Sequence, residues 1–433
     1  MNSGPSRRRM LGAIGTAVGV SIAGCLFEDG PEPIDAEYRD LTEIASMDVP
    51  ELAEPFPLEV DTVYVESEVE RVESRLSEIP ASLEAEIPNE AVRQYIGHER
   101  KGARQNLNRA DDQDTNLGRL GPLRSARGDG AEANGAYRAA RGELTREEVT
   151  PRLTELQERA AGRAASLNVE GSDPREAIPI YDQIEGWLGA ATRALDRPDP
   201  PSEVSTVEAV GELSGRAGFV RAATNDAMHL IERHREAVRD PEPFGDAIEQ
   251  AVDAMDEEIT NRAESLPDDP NGETLFDAET DGTPRTHAAE RATRLVQRSV
   301  EQVHDLEPQS ARRFIAALRA LCDLRMVDRL RTVVEEGGLA RPENATAVES
   351  ARADAIESIE DARATADSDA RYLFEGQLSN TIRRIHRGDD EIERHAERSV
   401  EQAALRSIAE YAIADARATV VNDAVSQAID ALE

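Results

Sequence analysis

DEIERHAERSVEQAALRSIAEYAIADARATVVNDAVSQAIDALE, residues 390–433, is the stretch that decides the fold class. Ile392, Ala396, Val400, Ala404, Ile408, Tyr411, Val421, Val425, Ile429 and Leu432 recur mostly at steps of three and four. That spacing lines one face of an α-helix and fits no strand, whose side chains alternate every two residues. Uninterrupted from Asp390, such a helix would run about 60 Å at 1.5 Å per residue. Its many alanines let neighbouring helices approach closely. The expected product is an all-α, elongated multi-helix bundle with long antiparallel helices.

The same pattern extends back to Leu58, and the helix starts carry their own punctuation. Thr145-Arg146-Glu147-Glu148 has capping-box spacing, and Asp173-Pro174 sets a cap before a proline at the first helical position. Arg197-Pro198-Asp199-Pro200-Pro201 and Asp240-Pro241-Glu242-Pro243 read as helix breaks. Residues 266–285, with Pro267, Pro270 and Pro284, read as a linker or a surface excursion. It divides a helical region at 58–265 from another at 286–433. Gly118 to Gly142, with four glycines inside it, reads as a soft spot. Arg298-Ser299-Val300-Glu301-Gln302 recurs as Arg398-Ser399-Val400-Glu401-Gln402, an echo that Arg- and Glu-rich helices produce without duplication.

The chain has 433 residues and a formal net charge of −37, and aromatics make up only 3 % of it. Lys101 is the only lysine, so arginine supplies 49 of the 50 basic side chains. Self-repulsion on this scale strains a compact state. It is tolerable in molar salt, where the Debye length falls to about 3 Å. Nucleic acid is excluded as a partner, because its recognition needs a positive footprint. One island runs against the trend: Ala91 to Arg146 holds eleven basic and seven acidic residues. It either docks an acidic partner or pairs with acidic neighbouring helices, and pairing is the simpler expectation. Arg127-Gly128-Asp129 inside it is read as a coincidence of composition.

The N-terminus is built differently. Ser6-Arg7-Arg8-Arg9-Met10-Leu11 precedes an uncharged stretch from Gly12 to Gly24, and Ile22-Ala23-Gly24-Cys25 follows with small residues before a cysteine. A basic segment, a short apolar segment and small residues at a cut site are the parts of a secretory signal, and this apolar run is too short to span a bilayer. Arg7 and Arg8 resemble the twin-arginine export motif. Residues 22–25 resemble a lipobox, in which Cys25 becomes the lipidated N-terminus. Together with the acidity and the near absence of lysine, these features resemble twin-arginine-exported lipoproteins of extremely halophilic archaea. That resemblance implies a signal peptide at 1–24, membrane lipid as a partner through Cys25, and a location on the extracytoplasmic face of the cell membrane. Residues 25–57, with five prolines among acidic residues, then read as a tether carrying one short helix around Glu37 to Ala45.

Candidate chemistry is sparse. Glu301-Gln302-Val303-His304 has the Glu-x-x-His spacing of helical di-metal sites, and Asp226-Ala227-Met228-His229 is a weaker echo. Convergence of the two pairs would make a metal site; otherwise no cofactor is expected. The Walker, dinucleotide, Gly-x-Ser-x-Gly and His-Glu-x-x-His patterns do not occur. Cys322 and Trp187 lie in apolar helical patterns and read as core residues. Asn344-Ala345-Thr346 is an N-glycosylation sequon in what reads as a loop. The expected role is non-enzymatic: an interaction or scaffold lipoprotein whose partner is an envelope protein. A metal-binding or enzymatic bundle, or an accessory component of a transport system, is the alternative.

Overall fold

Helical periodicity is realised almost throughout. The computed structural model describes residues 34–52, 55–198, 200, 206–267, 274–276 and 282–433. Cys25, Arg7 and Arg8 lie outside them. In order come α1 (Tyr38–Ala45), α2 (Thr62–Ser77), α3 (Glu90–Asp111), α4 (Asn116–Ala140), α5 (Arg146–Ala165), α6 (Pro174–Leu195) and α7 (Thr206–Ala237). They are followed by α8 (Gly245–Glu264), α9 (Pro284–His304), α10 (Ala311–Glu335), α11 (Ala345–Thr365), α12 (Arg371–His395) and α13 (Val400–Asp430). The strands among the described residues are a two-residue antiparallel pair, β1 (Glu170–Gly171) with β2 (Glu242–Pro243).

Local chemistry explains the helix ends. The Thr145 backbone N–H donates to Glu148 at 2.9 Å, completing the capping box of α5. Asp173 accepts from the Arg175 amide at 2.8 Å, with Pro174 opening α6. Asn344 is not in a loop interior. It caps α11, its side chain accepting from the Ala347 amide at 3.2 Å, and it is exposed.

Three expectations need correction. The C-terminal segment is two helices: α12 stops at His395, and Ser399 caps α13 by accepting from the Gln402 amide at 3.2 Å. α13 is therefore 31 residues, about 46 Å at 1.5 Å per residue. The repeated pentapeptide consequently plays two roles, mid-helix in α9 and as a helix start in α13.

The supposed soft spot is helix α4, and its glycines are packing devices. α4 and α7 run antiparallel: Gly128 faces Phe219, and Gly135 faces Ser214. A Cβ placed on Gly218 would stand 2.6 Å from the Ala131 Cβ and 2.8 Å from the Arg127 carbonyl oxygen, so only glycine permits this approach. Low helix propensity misleads here because tertiary packing overrides it.

The supposed tether is, from Ile34 onward, a strap packed on the body. Ile34, Leu41, Ile44, Leu58 and Val60 are buried, and Asp35 donates its amide to the Glu343 carbonyl at 2.9 Å. Arg352 of α11 donates to the carbonyls of Met47 (2.7 Å) and Asp48 (3.3 Å), and Arg363 to that of Glu51 (2.9 Å). Prolines remove donors from the strap, but its carbonyls remain free to accept from these arginines.

Ile34 to Glu433 forms one compact unit. Its principal apolar cluster takes in residues of α1–α4 and α6–α13, with Leu275 and Phe276 buried in it. These two are among the few described residues of the 266–285 segment, and both pack on the body. Cys322 is fully buried, and burial pushes its thiol up.

Candidate functional site

Asp226, the weaker half of one expected metal pair, is fully buried at the centre of an ionic knot. Arg127 of α4 reaches both its carboxylate oxygens at 2.7 Å. Arg124 adds a bond at 3.2 Å and the Tyr64 hydroxyl another at 2.7 Å. Arg127 also pairs with Glu68 of α2, which is buried. Arg124 lies over the Trp187 ring, 4.4 Å from its centroid. With its acceptor capacity taken by guanidinium groups, Asp226 is a structural anion and not a free ligand. His229 stacks on Tyr64 with ring centroids 3.9 Å apart, and burial lowers its pKa.

The other pair, Glu301 and His304, is exposed on α9. The two pairs do not meet: among the described residues no group of three or more His, Cys, Asp or Glu is placed to hold a metal ion. Trp187 is buried, as its apolar helical pattern suggests.

Beside the knot, α4, α6 and α7 enclose a cleft of about 570 Å³ that motif reading did not find. Asp129, Glu132 and Glu212 line it with Arg193, Arg197 and Arg216, around the ring of Phe219. Arg216 donates to the carbonyls of Arg197 at 2.8 Å and Pro198 at 3.1 Å and pairs with Glu212 at 3.2 Å, tying α7 to the end of α6. On the α3 side, Asn106 donates to Asp129 at 2.8 Å and the Tyr95 hydroxyl to Glu132 at 2.5 Å.

Burial raises the pKa of both Asp129 and Glu132. Glu99 is pushed up to about 7, by burial first and then by Glu132 and Asp129. The cleft thus offers carboxyl groups on one flank, guanidinium groups on the other and an aromatic face between. A ligand with both signs of charge, such as a polypeptide segment, matches that lining. Arg127, Gly128 and Asp129, consecutive by coincidence of composition, take three separate places: the arginine in the knot, the glycine against α7 and the aspartate in the cleft lining.

Part of the basic island pairs with acids: Arg119 with Asp111 at 3.1 Å, Arg141 with Glu86 at 3.0 Å, and Arg124 and Arg127 with Asp226, whereas Arg93 and Arg100 donate to backbone carbonyls.

Residues 63–240 match the family described as Domain of unknown function (DUF8262), and residues 241–430 match Domain of unknown function (DUF8264). Cleft and knot both fall within the first match. No curated protein and no solved structure matches the chain.

Proposed function

We propose that this chain is a lipid-anchored, non-enzymatic helical interaction protein of the extracytoplasmic membrane face. The observation that carries the reading is the N-terminal sequence, in which Arg7-Arg8 and Ile22-Ala23-Gly24-Cys25 stand at the separation of an export motif and a lipobox. Two lipid chains on one cysteine suffice for stable anchoring, whereas a single acyl chain binds only marginally. No helix among the described residues is long and apolar enough to cross a membrane. Eight residues, Leu26 to Pro33, separate Cys25 from the first packed residue, which bounds the reach of the anchor at about 30 Å of extended chain. The net charge of −37 suits molar salt. The mixed-charge cleft between α4, α6 and α7 supports a protein partner in the envelope.

The test is a pair of cell fractionations in molar salt. The unmodified protein should sediment with membranes, and Cys25→Ser should appear in the medium or the soluble fraction. Membrane retention of the Cys25→Ser protein would sink the anchoring claim. A pull-down of the anchored form, repeated with Arg193→Glu in the cleft, addresses the interaction claim. Partners unaffected by that charge reversal do not use the cleft.

An enzymatic reading has one observation in its favour, a carboxyl group at Glu99 that holds its proton near neutral pH. It would require the cleft to act on a bound substrate with Glu99 as acid or base.

A further inference from the structure

A second cavity, of about 260 Å³, lies on another flank of the α4–α7 pair, where α2 and α5 pack. Four arginines from four helices line it: Arg75 of α2, Arg138 of α4, Arg152 of α5 and Arg221 of α7. Glu78 is the single acid in the lining. It accepts from the side chain of Asn134, also in the lining, at 2.8 Å, and it partly offsets the charge of Arg75 without an ion pair within 4 Å.

In a chain with 87 acidic and 50 basic residues, an arginine should find an acid more easily than another arginine. Arg119, Arg124, Arg127 and Arg141 of the basic island that includes Arg138 do so. Yet among the described residues none of these four makes an ion pair within 4 Å, and the only side-chain hydrogen bond in the group is from Arg75 to the Arg127 carbonyl at 3.4 Å. Four like charges around one cavity repel one another. Burial lowers the pKa of Arg75 and the neighbouring Arg221 lowers it further, as expected of a cation short of counter-charge.

We propose that this cavity binds a small multivalent oxyanion of the phosphate type, held by the guanidinium groups of Arg75, Arg138, Arg152 and Arg221. Planar guanidinium forks donate paired hydrogen bonds to such oxyanions, which is why arginine rather than lysine serves them. The volume lies below the usual 300–1,000 Å³ range of pockets for drug-sized ligands and suits a compact anion or a single head group. Binding would replace like-charge repulsion with charge-assisted hydrogen bonds and would stabilise α2, α4, α5 and α7 together. Free phosphate and the phosphate of a lipid head group present the same chemistry to the four arginines.

The experiment uses the full chain at fixed ionic strength. Thermal unfolding is followed as inorganic phosphate replaces chloride, and binding is titrated calorimetrically with the same salt. A second arm measures co-sedimentation with phosphatidylcholine vesicles with and without phosphatidic acid. Arg152 and Arg221 are exposed, so the double variant Arg152→Gln/Arg221→Gln should fold. Loss of its two donors should weaken phosphate binding roughly tenfold or more. Arg109→Gln, outside the cavity, should bind as the unmodified protein does. A response in the vesicle arm alone, lost in the double variant, would identify a lipid head group as the source. The proposal is overturned if the unmodified protein responds in neither arm, or if the double variant retains full binding. Should the double variant misfold, the single variant Arg152→Gln is titrated calorimetrically in its place, and full retention of phosphate binding there overturns the proposal.

Discussion

The helices α2–α5 and α10–α13 solve the same problem, a bundle overloaded with charge, in different ways. Around α10, α12 and α13 the apolar residues join the principal cluster, and the buried charges are paired inside it. Arg352 meets Asp389 at 3.0 Å, Arg384 meets Glu410 at 3.1 Å, and Arg417 pairs with Asp323. Around α2–α5 most apolar residues fall into four smaller clusters among the described residues, such as Ile79 with Ile87 and Ile96, or Leu144 with Val149 and Leu153, while Val65, Ala110, Leu120 and Leu123 join the principal one. Both charged cavities open beside the smaller clusters. A cavity of about 450 Å³ beside α8 and α9 shows that the principal core has seams too, so the two regions differ in how far their apolar clusters extend.

The largest expected effect comes from the single knot that joins the small cores. Arg127→Ala leaves both Glu68 and Asp226 buried with their shared cation gone, and should cost about 3–5 kcal/mol of unfolding free energy in urea titrations. Arg352→Ala in the other half strands one carboxylate, Asp389, to which the Tyr411 hydroxyl still donates at 2.7 Å, and leaves the strap carbonyls of Met47 and Asp48 without their donor. Its cost should be smaller. The reverse ranking would break the contrast.

Two glycines probe room directly. A Cβ on Gly388 would stand 2.3 Å from the buried Tyr411 ring, so Gly388→Ala should destabilise by about 1–3 kcal/mol through overpacking. Gly162, exposed on α5, has nothing within 4 Å of that position, and Gly162→Ala should stabilise by about 0.5–1 kcal/mol through helix propensity. Thermal midpoints moving in opposite directions would sharpen the comparison; matching losses would contradict it.

The smallest effect is a pH slope. Glu99 has a folded-state pKa of about 7 against the ordinary glutamate value of 4.5, so the folded protein binds more protons than the unfolded one between them. Its contribution to stability is therefore present below about pH 4.5 and is lost as pH rises through about 7. Glu99→Gln should flatten that part of the stability profile. An unchanged slope would remove Glu99 from the carboxyl cluster.

Much of the architecture was legible in residues with local rules. Thr145 and Asp173 announce their helices, and the short helix at Tyr38–Ala45 shows through its prolines. The break between α12 and α13 was also readable, since Ser399 precedes Gln402 at cap spacing, but an alanine-rich periodicity ran across it. Non-local facts were not legible. Nothing within Gly118–Gly142 tells that Gly128 and Gly135 face Phe219 and Ser214 of α7, and nothing near Pro50 tells that Arg352, three hundred residues on, grips the strap. Both expected metal pairs had correct helical spacing, yet helical spacing cannot say which helices meet. The cleft and the arginine cavity draw on three and four helices respectively, so no linear motif could have named them.

The most direct test of membrane display is the intact mass of the mature protein extracted from its own membranes, with fragmentation of its N-terminus. A chain that begins at Cys25 and carries the added mass of a diacylglycerol-type lipid is the predicted result. A chain that retains Met1, or that begins elsewhere without a lipid, would contradict it.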